Sequence, residues 1–328
     1  MAQRFLVTGG AGYVGSHLVA ALLDRGDDVT VLDNLRTGHR AAVPSQVRLI
    51  VADLADDAAI EAAMATGPYD AVFHFAALSQ VGESMRMPMR YLLDNAANGI
   101  RLIDACVRHG IGRFVLSSTA ALFNVPGDAP IPEEATVDPQ SAYGDSKWMI
   151  ERALRWAGQV HGLRYACLRY FNAAGADPAG RLGEDHRPES HLIPLVIDAA
   201  LGRRPALNVF GDDYPTPDGT CIRDYVHVSD LASAHLLAVE RLVDDNVVWN
   251  LGNGAGHSVR QVIASVERVS GLRVPYRIVA RRPGDAAVLV ASSLRAQQAG
   301  WQPALGELDE IVRTAFVWRE QHPNGYGD

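Results

Sequence analysis

Lysine is almost missing from this sequence. Of the 30 Lys and Arg side chains in 328 residues, 29 are arginine, and the single lysine is Lys147, in SAYGDSKWMI at 141–150. A surface cation can be either type at little cost, so the one ammonium marks a place where a planar guanidinium fork would not serve. Cysteine is scarce as well: Cys106, Cys167 and Cys221 are odd in number and widely separated. That excludes a disulfide framework, leaves no cysteine pattern for zinc, and gives no expectation of a metal. No apolar run approaches the roughly 18 residues that span a bilayer. Positive charge is in deficit, with a net charge of -8, which excludes nucleic acid or an anionic membrane as the main partner. The chain opens on RFLVTGG, without the charged and apolar regions of an export leader. These absences together predict a soluble cytoplasmic protein that holds any anionic ligand with a local cluster of donors.

What is present is a rhythm. Apolar runs at 4–8, 28–33, 47–53, 70–75, 113–118 and 164–171 are bounded by turn residues and separated by helical stretches. Such alternation predicts an α/β fold with a doubly wound parallel sheet. After Asn172 the rhythm breaks into NAAGADPAGRLGEDHRPES, and helices near 189–202, 229–243, 258–270 and 306–321 dominate the second half of the chain. The expected organisation is a dinucleotide-binding domain over 1–175 and a smaller, mostly helical domain over 176–328, with the chain crossing back to the first near 220–250.

The first strand runs directly into TGGAGYVGSH, with glycines at Gly9, Gly10, Gly12 and Gly15. Glycine here permits a tight turn, close approach of backbone to a pyrophosphate, and close packing of helix on strand. Asp33 ends the next strand, where a carboxylate accepts hydrogen bonds from a ribose 2′-hydroxyl and repels a 2′-phosphate. With Asn34 rather than an arginine following it, the pattern selects NAD over NADP. Asp53, at the end of the third strand, reads equally well as a turn cap.

Tyr143 stands four residues before Lys147, on one face of the helix that Ser141 introduces. A phenol has an unperturbed pKa of about 10, and a neighbouring cation favours its ionised form. Ser117, Ser118 and Thr119 end the fifth strand, where α/β sheets present ligand groups, and a hydroxyl from that run could relay a proton to Tyr143.

Taken together, the glycine turn, the hydroxyl after the fifth strand and Tyr-x-x-x-Lys resemble the extended short-chain dehydrogenase/reductase superfamily. Within it the sequence is similar to the UDP-glucose 4-epimerase family over essentially its full length. The similarity runs through HFAALSQVGES (74–84), SSTAALF (117–123), LRYFNAAGADPAG (168–180), HLIPLV (191–196), FGDDYPTPDGTCIRDYVHVSDLA (210–232), WNLGNG (249–254), RRPGD (281–285) and HPNGYGD (322–328). The segment from Phe210 to Ala232 is the most specific.

The resemblance implies a Rossmann domain and NAD-dependent 4-epimerisation of UDP-hexoses through a transient 4-keto sugar. Tyr143 is then the base, Thr119 the relay and Lys147 the group that holds NAD. The cofactor site it implies comprises Gly9, Gly12, Tyr13, Val14, Gly15, Asp33, Asn34, Asp53, Leu54, Phe75, Ala76, Ala77, Asn95, Ser117 and Tyr170, with Tyr143 and Lys147. The implied UDP-sugar site comprises Thr119, Tyr143, Asn172, His191, Leu192, Asn208, Phe210, Arg223, Arg282, Asp285 and Leu289, with Phe210 against uracil and the arginines on the diphosphate. Leu289 stands where a bulky tyrosine would narrow the pocket near the sugar's 2-position, so UDP-N-acetylhexosamines are expected as substrates too. A homodimer is also implied. Three positions depart from the family's usual residues: Ser79 where some members have lysine, His191 where some have asparagine, and Asn124 where glycine is common. Sugar-nucleotide dehydratases place an acidic pair after the threonine, whereas Ala120 and Ala121 stand here. The alternatives are a 4-epimerase of UDP-pentoses or UDP-uronic acids and a non-catalytic NAD-sensing protein, the last opposed by the intact Tyr143 and Lys147.

Overall fold

Residues 2–124, 127–282 and 285–327 are described by the computed structural model. Pro283 and Gly284 of RRPGD, Val125 and Pro126 beyond Asn124, and Asp328 of the closing HPNGYGD lie outside the described residues. Six strands form where the apolar runs fall: β1 (Arg4–Thr8), β2 (Asp28–Asp33), β3 (Arg48–Val51), β4 (Ala71–His74), β5 (Arg113–Thr119) and β6 (Arg164–Tyr170). Phe5, Leu6, Val7, Val72, Phe73, Phe114, Val115 and Leu116 are completely buried, because helices cover both faces of the sheet.

A seventh strand, Val247–Leu251, pairs in parallel with β6 from Val247 against Ala166 to Leu251 against Tyr170. The sheet order is Val247–Leu251, β6, β5, β4, β1, β2, β3. Every pairing in it is parallel. On one face Leu18 and Leu22 of helix Tyr13–Asp24 share a core with Leu231 and Ala238 of helix Val228–Arg241 and with Trp249. On the other, helices Asp57–Met64, Asn98–Arg108 and Ala142–His161 contribute Ile60, Leu102, Ile150 and Leu154. Residues 228–251 therefore sit in the layers of the large sheet although they follow residue 176. Neighbouring strands β1 and β4 send their connections to opposite sides, which opens a crevice at their carboxyl ends.

A separate core forms where helices Leu192–Ala200, Val259–Ser270 and Leu308–Gln321 bring together Ile193, Val196, Val262, Ile311 and Val312. Its sheets are small: Leu207–Phe210 pairs with Tyr276–Val279, and Ile222–Arg223 lies between His257–Ser258 and Val288–Leu289. Strand Asn172–Ala174 pairs with Tyr225–His227, which joins the chain leaving β6 to the segment that returns to the sheet. Among the described residues no helix is long and apolar enough to cross a membrane.

Candidate active site

The crevice is built from the glycine turn. Gly9 has φ +74°, and a Cβ there would stand 2.4 Å from the amide nitrogen of Ala76. Only glycine lets β1 and β4 deliver their ends side by side. A Cβ on Gly15 would lie 2.2 Å from the Gly9 carbonyl oxygen, so the helix rests directly on the turn. Gly12 is the N-cap of helix Tyr13–Asp24, with no capping side chain and no acidic residue in the first turn. Its first N–H groups are therefore presented as an anion site. Tyr13 directs its hydroxyl to the carbonyl of Gly175 (2.6 Å), tying the turn to the irregular segment after β6, while Val14 packs on the core.

At the end of β2, one oxygen of Asp33 accepts the Ala11 N–H (3.0 Å) and the other the Leu35 N–H (2.9 Å). Burial pushes this carboxyl's pKa up, and the two amides oppose the shift. An ionised carboxylate offers about four lone-pair sites, which leaves capacity for ribose hydroxyls. Asp53 acts as a turn cap: it accepts the Ala55 N–H (2.9 Å), which holds its pKa down, and fixes the Asn34 amide (2.8 Å). Arg36 is paired with Asp53 and Asp94.

Leu54 is buried in the core, so its side chain packs there and leaves only backbone for a ligand. Phe75 and Ala76 donate their N–H groups to the Thr8 carbonyl (2.8 and 3.1 Å), and Ala77 follows, half-buried. The buried amide of Asn95 bonds the Leu78 N–H (2.8 Å), the Leu78 carbonyl (2.9 Å) and Ser146 (3.1 Å). It fastens the loop after β4 to the helix that carries Tyr143. Ser79 is exposed.

That helix, Ala142–His161, is capped by Ser141, which accepts the Gly144 N–H at 3.1 Å. Lys147 is 1% exposed and donates to the Ser117 carbonyl at 2.7 Å. An ammonium carries three donors, so two remain for a ligand. Burial pulls its pKa down to about 7, and Glu151 one turn further on pulls the other way. Burial raises the pKa of the Tyr143 phenol, and the Thr119 hydroxyl opposes that rise.

Of the three hydroxyls at the end of β5, Thr119 is the one that bears on the pKa of Tyr143. Ser117 is engaged by the Tyr170 hydroxyl, and Ser118 donates to Glu151 (2.5 Å). Thr119 Oγ accepts the Ala121 N–H (3.1 Å), which leaves its proton for the phenol. Ala120 and Ala121 open a short 3-10 turn and bring no carboxyl to this point.

In the second core, the Asn172 N–H and side-chain amide both donate to the Asp224 carbonyl (3.1 and 2.8 Å). The Asp224 carboxylate accepts the N–H groups of Asn253 (2.8 Å), Gly254 (3.0 Å) and Ala291 (3.0 Å). That latch fixes the neighbouring Arg223, which pairs with Asp285 at 3.3 Å and lies opposite Leu289 in the sheet. Leu289 packs against the cluster of Leu122, Phe123 and Ile131, just beyond Thr119. Phe210 has the Arg282 guanidinium 3.9 Å from its ring centroid, so one of its faces is already covered. Asn208 accepts from Arg277 (2.7 Å). His191 is bonded to Glu184 and caps helix Leu192–Ala200.

Three features carry no clear mark in the sequence. Glu151 and Arg169 form a buried ion pair at 2.6 Å beneath Lys147. Tyr91 meets Tyr143 edge-on at 6.4 Å, its hydroxyl donating to Glu83 at 2.7 Å. Glu184, His186 and Glu189 gather around His191. The spacing 143, 147, 151 was the available signal for Glu151, since it places all three side chains on one helix face. NAD fits the first set of groups: an uncapped helix start for its diphosphate, Asp33 for one ribose and the two remaining donors of Lys147 for the other.

Residues 5–252 match the model of the NAD dependent epimerase/dehydratase family. The chain is 48% identical to a UDP-glucose 4-epimerase of Halalkalibacterium halodurans, covering 99% of this chain and 98% of that one. It is similar in structure to UDP-glucose 4-epimerase from Brucella ovis in complex with NAD, with a TM-score of 0.93 and 44% identity over 96% of this chain and 98% of that one. The UDP-Glc/GlcNAc 4-epimerase of Campylobacter jejuni superposes with a TM-score of 0.85 at 37% identity, covering 98% of this chain and 100% of that one. The chain thus belongs to the NAD dependent epimerase/dehydratase family and, within it, to the UDP-glucose 4-epimerases.

Proposed function

We propose that this chain interconverts UDP-galactose and UDP-glucose, with Tyr143 taking and returning the proton of the sugar's 4-hydroxyl. NAD, when bound, supplies the reversible oxidation of that carbon, so turnover involves no net redox change and the cofactor stays with the protein. Thr119 passes the proton between sugar and phenol. Lys147 holds the ribose hydroxyls and, as a cation, favours the phenolate. Asp33 holds the other ribose, and the start of helix Tyr13–Asp24 holds the diphosphate. Arg223 and Arg282, with Asp285, grip the UDP handle, so that the 4-keto sugar can turn while its nucleotide stays fixed. Most binding energy then sits away from the reacting carbon, where it can orient the sugar.

The observation that carries this reading is that Tyr143 shares a helix with the buried Lys147, whose ammonium donates to the Ser117 carbonyl at the end of β5, with the Thr119 hydroxyl placed to oppose the rise in the phenol's pKa. Leu289 supports a wider range that includes UDP-N-acetylhexosamines, because leucine is shorter than the tyrosine that would narrow the pocket near the sugar's 2-position. Exposed Leu93, Ile100, Met149, Trp156 and Val160 on adjacent helices support a homodimer. The unpaired Cys106, Cys167 and Cys221 fit a reducing cytoplasm.

Incubation with UDP-galactose alone should yield UDP-glucose without added NAD, and Tyr143→Phe should abolish most of that conversion while NAD remains bound. Absence of conversion by the wild-type protein carrying NAD, or near-normal conversion by the variant, would overturn the assignment.

A further inference from the structure

The irregular segment between strand Asn172–Ala174 and helix Leu192–Ala200 carries Glu184-x-His186-x-x-Glu189-x-His191. A reading of metal sites from cysteine spacing passes over this pattern. In the folded chain one potential ligand atom from each of the four residues lies within 4.8 Å of all the others. The buried Glu184 carboxylate turns Oε1 toward Nδ1 of both histidines, at 3.1 Å from His186 and closer still to His191. The imidazoles meet edge-on with centroids 5.1 Å apart.

Glu189 supplies a second, independent sign. Its Oε1 accepts the Ser190 and His191 N–H groups (2.7 and 2.9 Å) and faces His186 Nδ1 at 3.8 Å. Its Oε2 is buried without a hydrogen-bond partner, the side chain being 9% exposed, with Arg319 at 3.8 Å as the nearest cation. A buried carboxylate oxygen with no donor is costly unless something coordinates it.

We infer that Glu184, His186, Glu189 and His191 form a binding site for a divalent transition-metal ion of the zinc class. Two imidazoles and two carboxylates are a donor set suited to such an ion. Bond lengths of about 2.0–2.2 Å would draw the four groups together through modest side-chain rotations. Arg319, already fixed by Asp198 at 2.6 Å, balances the second carboxylate from outside. The site adjoins the dinucleotide turn, because Tyr13 stands edge-on to His186 at 6.1 Å, and it includes the residue that caps helix Leu192–Ala200. A bound ion therefore pins an otherwise irregular segment where the cofactor turn meets the substrate helix.

The test uses full-length, untagged protein freed of metal with a chelator and titrated with Zn²⁺ or Co²⁺ alone. Calorimetry should give one saturable Zn²⁺ site per chain, and Co²⁺ should develop the visible absorption of a tetrahedral nitrogen and oxygen site, without the charge-transfer band of thiolate. His186→Asn and Glu189→Gln should each weaken binding by about tenfold or more. Retained NAD and native circular dichroism would show that these variants fold. Failure of the wild-type protein to bind stoichiometrically, a thiolate spectrum, or undiminished binding by folded Glu189→Gln would overturn the site. None of these readouts depends on turnover, so they stand or fall apart from the epimerase assignment.

Discussion

At Thr119 one hydroxyl bears on two neighbours: it accepts the Ala121 N–H and opposes the rise in the pKa of the Tyr143 phenol. The Thr119 hydroxyl lowers the phenol's pKa, so Thr119→Ala should raise it. With Tyr143 in the proposed role, turnover needs the phenolate and falls as pH drops through this pKa, so the acidic limb of the kcat/KM profile should move to higher pH in the variant. Loss of one hydrogen bond to a charged group, about 1.5–3 kcal/mol, should cost roughly 10- to 100-fold at neutral pH. Lys147 gives a stability effect of its own. Burial lowers its pKa to about 7, while the unfolded chain holds the proton to near 10.5. Between those values the unfolded state binds more protons, and stability rises with pH. Urea titrations at pH 7 and 9.5 should show wild type gaining about 3 kcal/mol relative to Lys147→Met, a difference that vanishes if the ammonium is solvated. At Leu289, introducing Tyr should depress turnover of UDP-N-acetylglucosamine far more than that of UDP-galactose in paired assays, because bulk excludes the acetyl group. Tyr143 and Lys147 stand out in the sequence because they lie four residues apart on one helix face, and Thr119 because it ends the fifth strand. Glu151 and Arg169 do not, since each alone looks like an ordinary surface charge until the fold buries both.

Elements can be read to within a few residues where they are long and apolar. β1 and β2 begin and end where the sequence places them, and helix Ala142–His161 starts at its serine cap. Contacts between elements carry no such local mark. Gly144 looks like an indifferent residue early in a helix, yet a Cβ there would stand 2.3 Å from the Ala121 carbonyl oxygen. It allows helix Ala142–His161 to dock on the turn that follows Thr119. Gly144→Ala should therefore push Tyr143 away from Thr119, lowering kcat more than it raises KM, with a stability loss of about 1–3 kcal/mol by denaturant titration. An unchanged kcat would mean that the helix and turn move together. The seventh strand, Val247–Leu251, is hidden for the same reason. Its partner β6 is distant in sequence, and nothing within VVWNL says which edge it will join.

At the scale of the molecule, one group of exposed apolar side chains lies on two adjacent helical stretches. Met149, Trp156 and Val160 recur at seven and four residues along helix Ala142–His161, and Leu93 and Ile100 lie on the neighbouring helical stretch. Trp156 is 63% exposed and Val160 67%. Replacing Trp156 with Glu should shift the protein from dimer to monomer in sedimentation velocity, with NAD content unchanged. A wild-type monomer at micromolar concentration would refute the assembly.

The solitary, buried lysine also makes this chain its own recorder of motion. A protease that cuts only after lysine has one bond to attack, between Lys147 and Trp148, and in the folded protein that bond lies inside a helix behind Ser141 and over β5. Every cut therefore reports an opening of helix Ala142–His161, and the intact chain divides into two fragments, so at high protease the loss of the intact band on a gel reads out the rate of that opening.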